Sequence, residues 1–234
     1  MTPWLTIIGI GEDGYDALTP AARALIDAAE ICYGGARHLA MLPPDLAVEQ
    51  RRWRTPLRNT FKDIKALEGR RVVVLATGDP MNFGIGATLF REFGFREFGD
   101  AFGAEALTIL PSPGAFSLAA ARMGWALPDT ACLSIHGRPL AALNLHIAPG
   151  ARLLILSENE NSPTDVAALL RQRGFGDSAV SVLEHLGGAG ETIRHSTATE
   201  KWEDNPPAKL NTIAVDCIAG PKAQYYSRVG GLPD

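Results

Sequence analysis

The sequence predicts an α/β protein built from two α/β units, the first with a mostly parallel sheet and the second with a mixed one. Three observations carry this. Short apolar runs rich in β-branched residues, such as Val72 to Ala76, are too short for helices and stop at glycine-rich turns, as buried strands do. Between them lie stretches with apolar residues at helical spacing, for example Ala22, Leu25, Ile26 and Ala29. The alternation breaks near Leu127-Pro128 and restarts at Ala131, dividing the chain into 1–127 and 128–234.

In order, Trp4 to Ile10 is the first strand, and Gly9-Ile10-Gly11-Glu12-Asp13-Gly14 matches G-x-G-x-x-G. A dinucleotide fold would start its helix inside that motif and end its second strand in an acidic residue. Here the helix signal is Thr19-Pro20, a cap followed by proline at the first helical position, and the strand Glu30 to Tyr33 ends in Gly34-Gly35. Gly34 to Leu42 then turns into a short helix ending at Pro43-Pro44, with Arg37 and His38 just after the strand. Arg51, Arg52 and Arg54 around Trp53 read as a solvated edge, and Asn59 to Leu67 as a helix.

The strand Val72 to Ala76 is followed by Thr77-Gly78-Asp79-Pro80, then Gly84 and Gly86, then a helix from Ala87 to Phe95. In an open α/β sheet the carboxyl ends of strands are where ligands bind, so this loop is a candidate site, although the same residues also make a good connector. Its glycines would admit a ligand to the backbone, and Met81 and Phe83 offer an apolar wall suited to a flat, partly apolar ligand. Ala106 to Leu110 is a further strand, broken by Pro111-Ser112-Pro113-Gly114 before the Ala-rich helix Ala115 to Met123. In the second unit, Cys132 to His136, Arg152 to Leu156, Val180 to His185 and Leu210 to Cys217 read as strands. Ser162-Pro163-Thr164-Asp165 starts a helix that runs to Arg173. Gly187 to Gly190 joins the third of these strands to Glu191 to His195 as an antiparallel pair.

Composition removes several classes of function. The net charge of −4 carries no basic excess for nucleic-acid phosphates, so an anionic ligand needs a local cluster of cations. Cys32, Cys132 and Cys217 are far apart and odd in number, which argues against a disulfide framework or zinc knuckle, and no metal site is expected. No apolar stretch approaches membrane-spanning length, so a cytoplasmic protein that does not engage membranes is expected. No G-x-x-x-x-G-K-[ST], G-x-S-x-G or H-E-x-x-H pattern occurs, and among the scattered histidines His136 and His185 end strands beside glycine.

The ordered segments GIGEDG, GGARHL, LATGDPMNFGIG, PSPGAFSLAAARMGW, SIHGRP, ENENSP, EHLGGAGETI and LNTIAV resemble the tetrapyrrole methylases of the cobalamin pathway. Gly34 to Leu39 and Ser134 to Pro139 point to the branch that methylates C5 of a precorrin ring. The resemblance covers nearly the whole chain. It implies two α/β domains with a ligand cleft between them, a homodimer, and S-adenosylmethionine as methyl donor with S-adenosylhomocysteine as product. Donor contacts carried over by it are Gly78, Asp79, Pro80, Met81, Phe83, Phe116 and Ser117, then Leu156, Ser157, Leu186, Gly187, Asn211 and Thr212, mostly through backbone groups. Bulky Phe116 departs from the small residue usual beside Ser117. For a substrate fringed with carboxylates, Gly11, Arg37, His38, Arg122 and Arg138 are the expected contacts, with the Arg51, Arg52 and Arg54 run as further available cations, and His136 first and Asp79 second are the candidate bases. The resemblance also implies fusion to a C-terminal decarboxylating C15-methylase domain, the linker-like Val229 to Asp234 being where it would join. A dinucleotide oxidoreductase and a non-catalytic tetrapyrrole-binding protein are the alternatives.

Overall fold

A computed structural model of the chain describes residues 4–93, 107–199, 202 and 205–226. It divides into two compact units, Met1–Gly114 and Ala115–Asp234. The expected ends of two elements, Ala106 and Phe95, and the segment Val229 to Asp234 lie outside the described residues.

In the first unit the strands are β1 (Leu5–Ile10), β2 (Ile31–Gly34), β3 (Glu49–Arg52), β4 (Val72–Thr77) and β5 (Leu107–Leu110). They form one sheet in the order β3-β2-β4-β1-β5, with every pairing parallel. Helices α1 (Pro20–Asp27), α2 (Ala36–Leu39), α3 (Arg58–Lys65) and α4 (Ile85–Glu92) lie between them. Thr19 caps α1, its hydroxyl accepting from the Ala22 amide, so the helix starts where Thr-Pro signals and not within the glycine motif.

Right-handed crossovers decide which face each helix covers. The chain moves one way across the sheet from β1 to β2 to β3, then back from β3 to β4 to β5, so α1 and α2 fall on one face and α3 and α4 on the other. Alternation of side chains along the strands shows the same division. Ile8, Ile10, Cys32, Val73 and Leu75 pack with Ile26 and Leu39, whereas Leu5, Ile7, Ile31, Val72 and Val74 pack with Phe61, Ile64 and Leu89. The connections leaving β1 and β4, which are neighbours, therefore depart on opposite faces. Such a switch point opens a crevice at the carboxyl ends of the two strands.

The second unit contains β6 (Thr130–Ser134), β7 (Arg152–Leu156), β8 (Ala179–Glu184), β9 (Thr192–Thr197) and β10 (Asn211–Asp216), with helices α5 (Ala115–Met123) and α6 (Ser162–Gln172). Its order is β6-β7-β10-β8-β9; β6 and β7 are parallel and the remaining pairs antiparallel, the mixed sheet expected. The division between units falls at Gly114 and not at Leu127-Pro128. The Ala-rich helix accounts for this, because Phe116, Ala119 and Ala120 of α5 are buried against Leu154, Leu183, Leu186 and Ala214 of the second sheet. Among the described residues no helix is long and apolar enough to cross a membrane, and no group of His, Cys, Asp and Glu could hold a metal ion.

Candidate active site

In the first unit the carboxyl ends of β1, β4 and β5 meet backbone to backbone. The Gly78 amide donates to the Ile10 carbonyl at 3.0 Å, the Ser112 amide to the Gly78 carbonyl at 3.1 Å, and the Ser112 hydroxyl to the Gly9 carbonyl at 2.7 Å. A Cβ on Gly9 would stand 1.8 Å from the Gly78 carbonyl oxygen, and one on Gly78, whose φ is +54°, would stand 2.7 Å from the Gly114 Cα. Gly84 and Gly86 are pressed likewise against Pro80. These glycines thus make room for the chain's own backbone, which corrects the expectation that they are bare in order to admit a ligand.

Asp79 shapes the same loop. Its Oδ1 accepts the Met81 amide at 2.8 Å, a side-chain turn that commits one carboxylate oxygen. Beyond it Met81 and Phe83 stand 44% and 43% exposed, the latter with φ at +55°, so two large apolar side chains are held out at the carboxyl end of β4.

Beside this loop a polar cluster draws on three adjacent strand ends. Arg37 on α2 forms an ion pair with Glu12 after β1, and its Nη2 donates to Thr77 Oγ1 at 3.3 Å and to His38 Nε2 at 3.2 Å. Thr77 Oγ1 also lies 3.0 Å from His38 Nε2. A guanidinium can only donate, so Arg37 gives its hydrogens to Thr77 Oγ1 and toward His38 Nε2, while the direction of the His38–Thr77 bond follows the imidazole tautomer. Nδ1 is buried with no hydrogen-bond partner among the described residues. Burial, then the neighbouring Arg37 charge, push the His38 pKa down to about 4, against a smaller opposing effect of Glu12. His38 is therefore neutral at physiological pH. Of the residues in this cluster the sequence singled out Arg37 and His38 but not Glu12 and Thr77, which strand order alone brings to them. Gly11 sits beside the Asp13 carboxylate.

In the second unit, register gathers the expected residues at one edge of the sheet. Ser134 pairs with Leu156, Leu156 with Thr212, Thr212 with Leu183, and Asn211 with Glu184. Ser157 donates to Asn211 Oδ1 at 2.5 Å, and Asn211 Nδ2 donates to the Ala208 carbonyl at 2.7 Å. Asn211, Thr212, Leu186 and Phe116 are buried. His136 and Arg138 are exposed just past β6, which ends two residues before the expected strand end. Arg122, on the last turn of α5, donates through Nε and Nη2 to the two oxygens of Glu191 at 2.5 and 3.1 Å, committing one edge of its guanidinium. Ser117, one residue after Phe116, is exposed.

The thiols behave as small hydrophobes. Burial pushes the Cys32 pKa up to about 12 and that of Cys132 upward as well.

Comparison with known proteins matches residues 4–201 to the model of the Tetrapyrrole (Corrin/Porphyrin) Methylases. The chain is 41% identical over 234 residues to a decarboxylating precorrin-6Y C(5,15)-methyltransferase of Sinorhizobium sp, a match covering 100% of this chain and 54% of that relative. It thus spans about half the length of that protein. A cobalt-precorrin-7 C(5)-methyltransferase of Salmonella typhimurium is 31% identical over 189 residues, covering 81% of this chain and 88% of the relative. Among solved structures, the precorrin-6Y methylase of Archaeoglobus fulgidus shares the fold, with a TM-score of 0.63 at 24% identity, covering 91% of this chain and 97% of that one. From its first strand onward, the chain belongs to the tetrapyrrole (corrin/porphyrin) methylase family.

Proposed function

We propose that this chain transfers a methyl group from S-adenosylmethionine to C5 of a precorrin in cobalamin biosynthesis. The observation that carries this is the overlap of its relatives. One matched protein is named for methylation at C5 and C15 with decarboxylation, the other for C5 alone, and the chain covers half of the first but 88% of the second. C5 methylation is the activity that the two names share, and it goes with the region this chain represents. The homodimer, the cytoplasmic location and the fusion to a decarboxylating C15-methylase belong to the same proposal.

When bound, the donor supplies a methyl carbon already activated by the sulfonium. Its sulfonium would leave as a neutral thioether once the methyl passed to an electron-rich ring carbon, so the residues that would hold it need only keep that methyl in line with the ring. No strong base has to act first, which agrees with a cluster whose histidine is held well below its ordinary basicity. The protein's contribution is to orient and dry the reactants, and orientation alone can supply about 7 to 11 kcal/mol. The donor contacts are Gly78 to Met81 and Phe83, with Phe116, Ser117, Leu156, Ser157, Leu186, Gly187, Asn211 and Thr212 from the second unit. Substrate carboxylates are met by Arg37, partly neutralised by Glu12, and by Arg138, with Gly11 and His38 alongside. His136 remains the first candidate for a later proton loss, since Asp79 already holds the Met81 amide.

Calorimetric titration with S-adenosylhomocysteine, with NADH in parallel, tests the proposal. Saturable binding of the homocysteine compound alone is the expected result. Binding of NADH alone would transfer the site to the dinucleotide reading, and binding of neither would remove the donor site.

A further inference from the structure

Between β8 and β9 the chain makes a turn with two left-handed residues, His185 at φ +49° and Gly187 at φ +82°. A left-handed residue with a side chain costs about 1–2 kcal/mol, so something must hold this shape. The backbone closes the turn, the Gly188 amide donating to the His185 carbonyl at 2.9 Å and the Glu191 amide to the Gly188 carbonyl at 3.1 Å. The side chain of Glu191 then ties it to the rest of the unit. Its Oε2 accepts the Gly187 amide at 2.7 Å while both oxygens accept from Arg122 of α5. A Cβ at Gly187 would also come within 3.3 Å of Leu118 on the same helix, so the turn is seated closely on α5.

We infer that Glu191 is a positioning residue for the methyl donor: clamped by Arg122, it fixes the Leu186-Gly187 turn in the shape that receives an adenosyl sulfonium. This rests on the donor reading above. Several features agree with it. The carboxylate spends its acceptor capacity on one backbone amide and one guanidinium edge, a bidentate geometry that sets direction as well as distance. Arg122 and then the Gly187 amide hold the Glu191 pKa below the usual carboxylate range, so the clamp stays charged through neutral pH. With its amide occupied, Gly187 can meet a ligand only through its carbonyl oxygen, which suits the N–H groups of an adenine or an ammonium. Arg122 accordingly moves from contacting substrate carboxylates to securing the turn.

The test is calorimetric titration of S-adenosylhomocysteine into the wild-type chain and into Glu191→Gln, Arg122→Ala and Arg122→Lys, with melting temperatures recorded for each. Losing one charge-assisted hydrogen bond should weaken binding by about tenfold in Glu191→Gln and Arg122→Ala. Arg122→Lys, which keeps the charge but not the fork, should recover part of the loss. In turnover, KM for the donor should rise with kcat little changed, and melting should not track the affinity loss across the three variants. Wild-type binding with unaltered affinity in Glu191→Gln would overturn this inference alone, as would a loss in Glu191→Gln with none in Arg122→Ala. Failure of the wild-type chain to bind would overturn the donor reading and this inference with it.

Discussion

His38 shows how a single side chain takes its properties from strand order. Its neighbours are Arg37 by sequence, Thr77 because β4 lies beside β2, and Glu12 because β1 lies beside β4. Its folded pKa of about 4 lies below the ordinary value of 6.5, so between these values the unfolded chain binds a proton that the native one refuses. Stability therefore rises with pH across that window and is fully recovered above it, with a slope of at most about 1.4 kcal/mol per pH unit, reduced by partial solvent exposure. Urea unfolding at pH 7 and pH 5 should show a larger loss on acidification for the wild type than for His38→Gln. Equal losses would mean that the imidazole is not held neutral. Arg37 and His38 were legible in the sequence because they follow Gly34-Gly35 at a strand end. Thr77 and Glu12 were not, since they lie 39 residues from His38 and 25 from Arg37 in the chain and only the sheet brings them close. The pairing of Arg122 with Glu191 was not legible, because nothing in its local sequence shows a carboxylate that is 69 residues away.

Among the elements, β1, β4 and β5 are joined at their carboxyl ends by backbone contacts that only glycine permits. Gly9→Ala would drive a methyl group to 1.8 Å from the Gly78 carbonyl oxygen, and backbone cannot step aside as a flexible side chain can. It should cost about 3 kcal/mol or more. Gly114→Ala meets Asp79 only at 3.4 Å, an ordinary contact, and should cost under about 1 kcal/mol. Denaturant titration of the two variants checks the contrast, and similar losses would mean that the strand ends are not in close contact. The apolar strands were legible because both faces of each are covered, giving unbroken runs such as Val72 to Ala76. β3 was not. Glu49–Arg52 is an exposed polar edge strand held by its pairing with β2, so no hydrophobic pattern marks it. Ser162 opens its helix as the Ser-Pro-Thr-Asp run predicts, but its side chain caps no amide of that helix. Its hydroxyl instead accepts the amides of Glu158 and Asn159, bracing the loop that follows Ser157.

Over the molecule as a whole, the net charge of −4 would repel a ring fringed with carboxylates, so recognition of such a substrate must come from local cations and not from long-range attraction. Arg37 is held beside a carboxylate that lowers its local excess charge, which favours exchange of one acid partner for another over capture of any passing anion. The same division of labour bears on how much chemistry the chain performs. Its matched region covers 54% of the decarboxylating relative but 88% of the relative named for C5 alone. Incubated with a precorrin and S-adenosylmethionine carrying a labelled methyl group, the chain should install one label per ring. Mass spectrometry should show a gain of a single methylene unit, with no loss of the mass of carbon dioxide, and the labelled carbon resonance should place the new methyl on one meso position. A product carrying two labels, or one lighter by a carboxyl group, would assign both activities to this half and refute the separation of C5 methylation from decarboxylation.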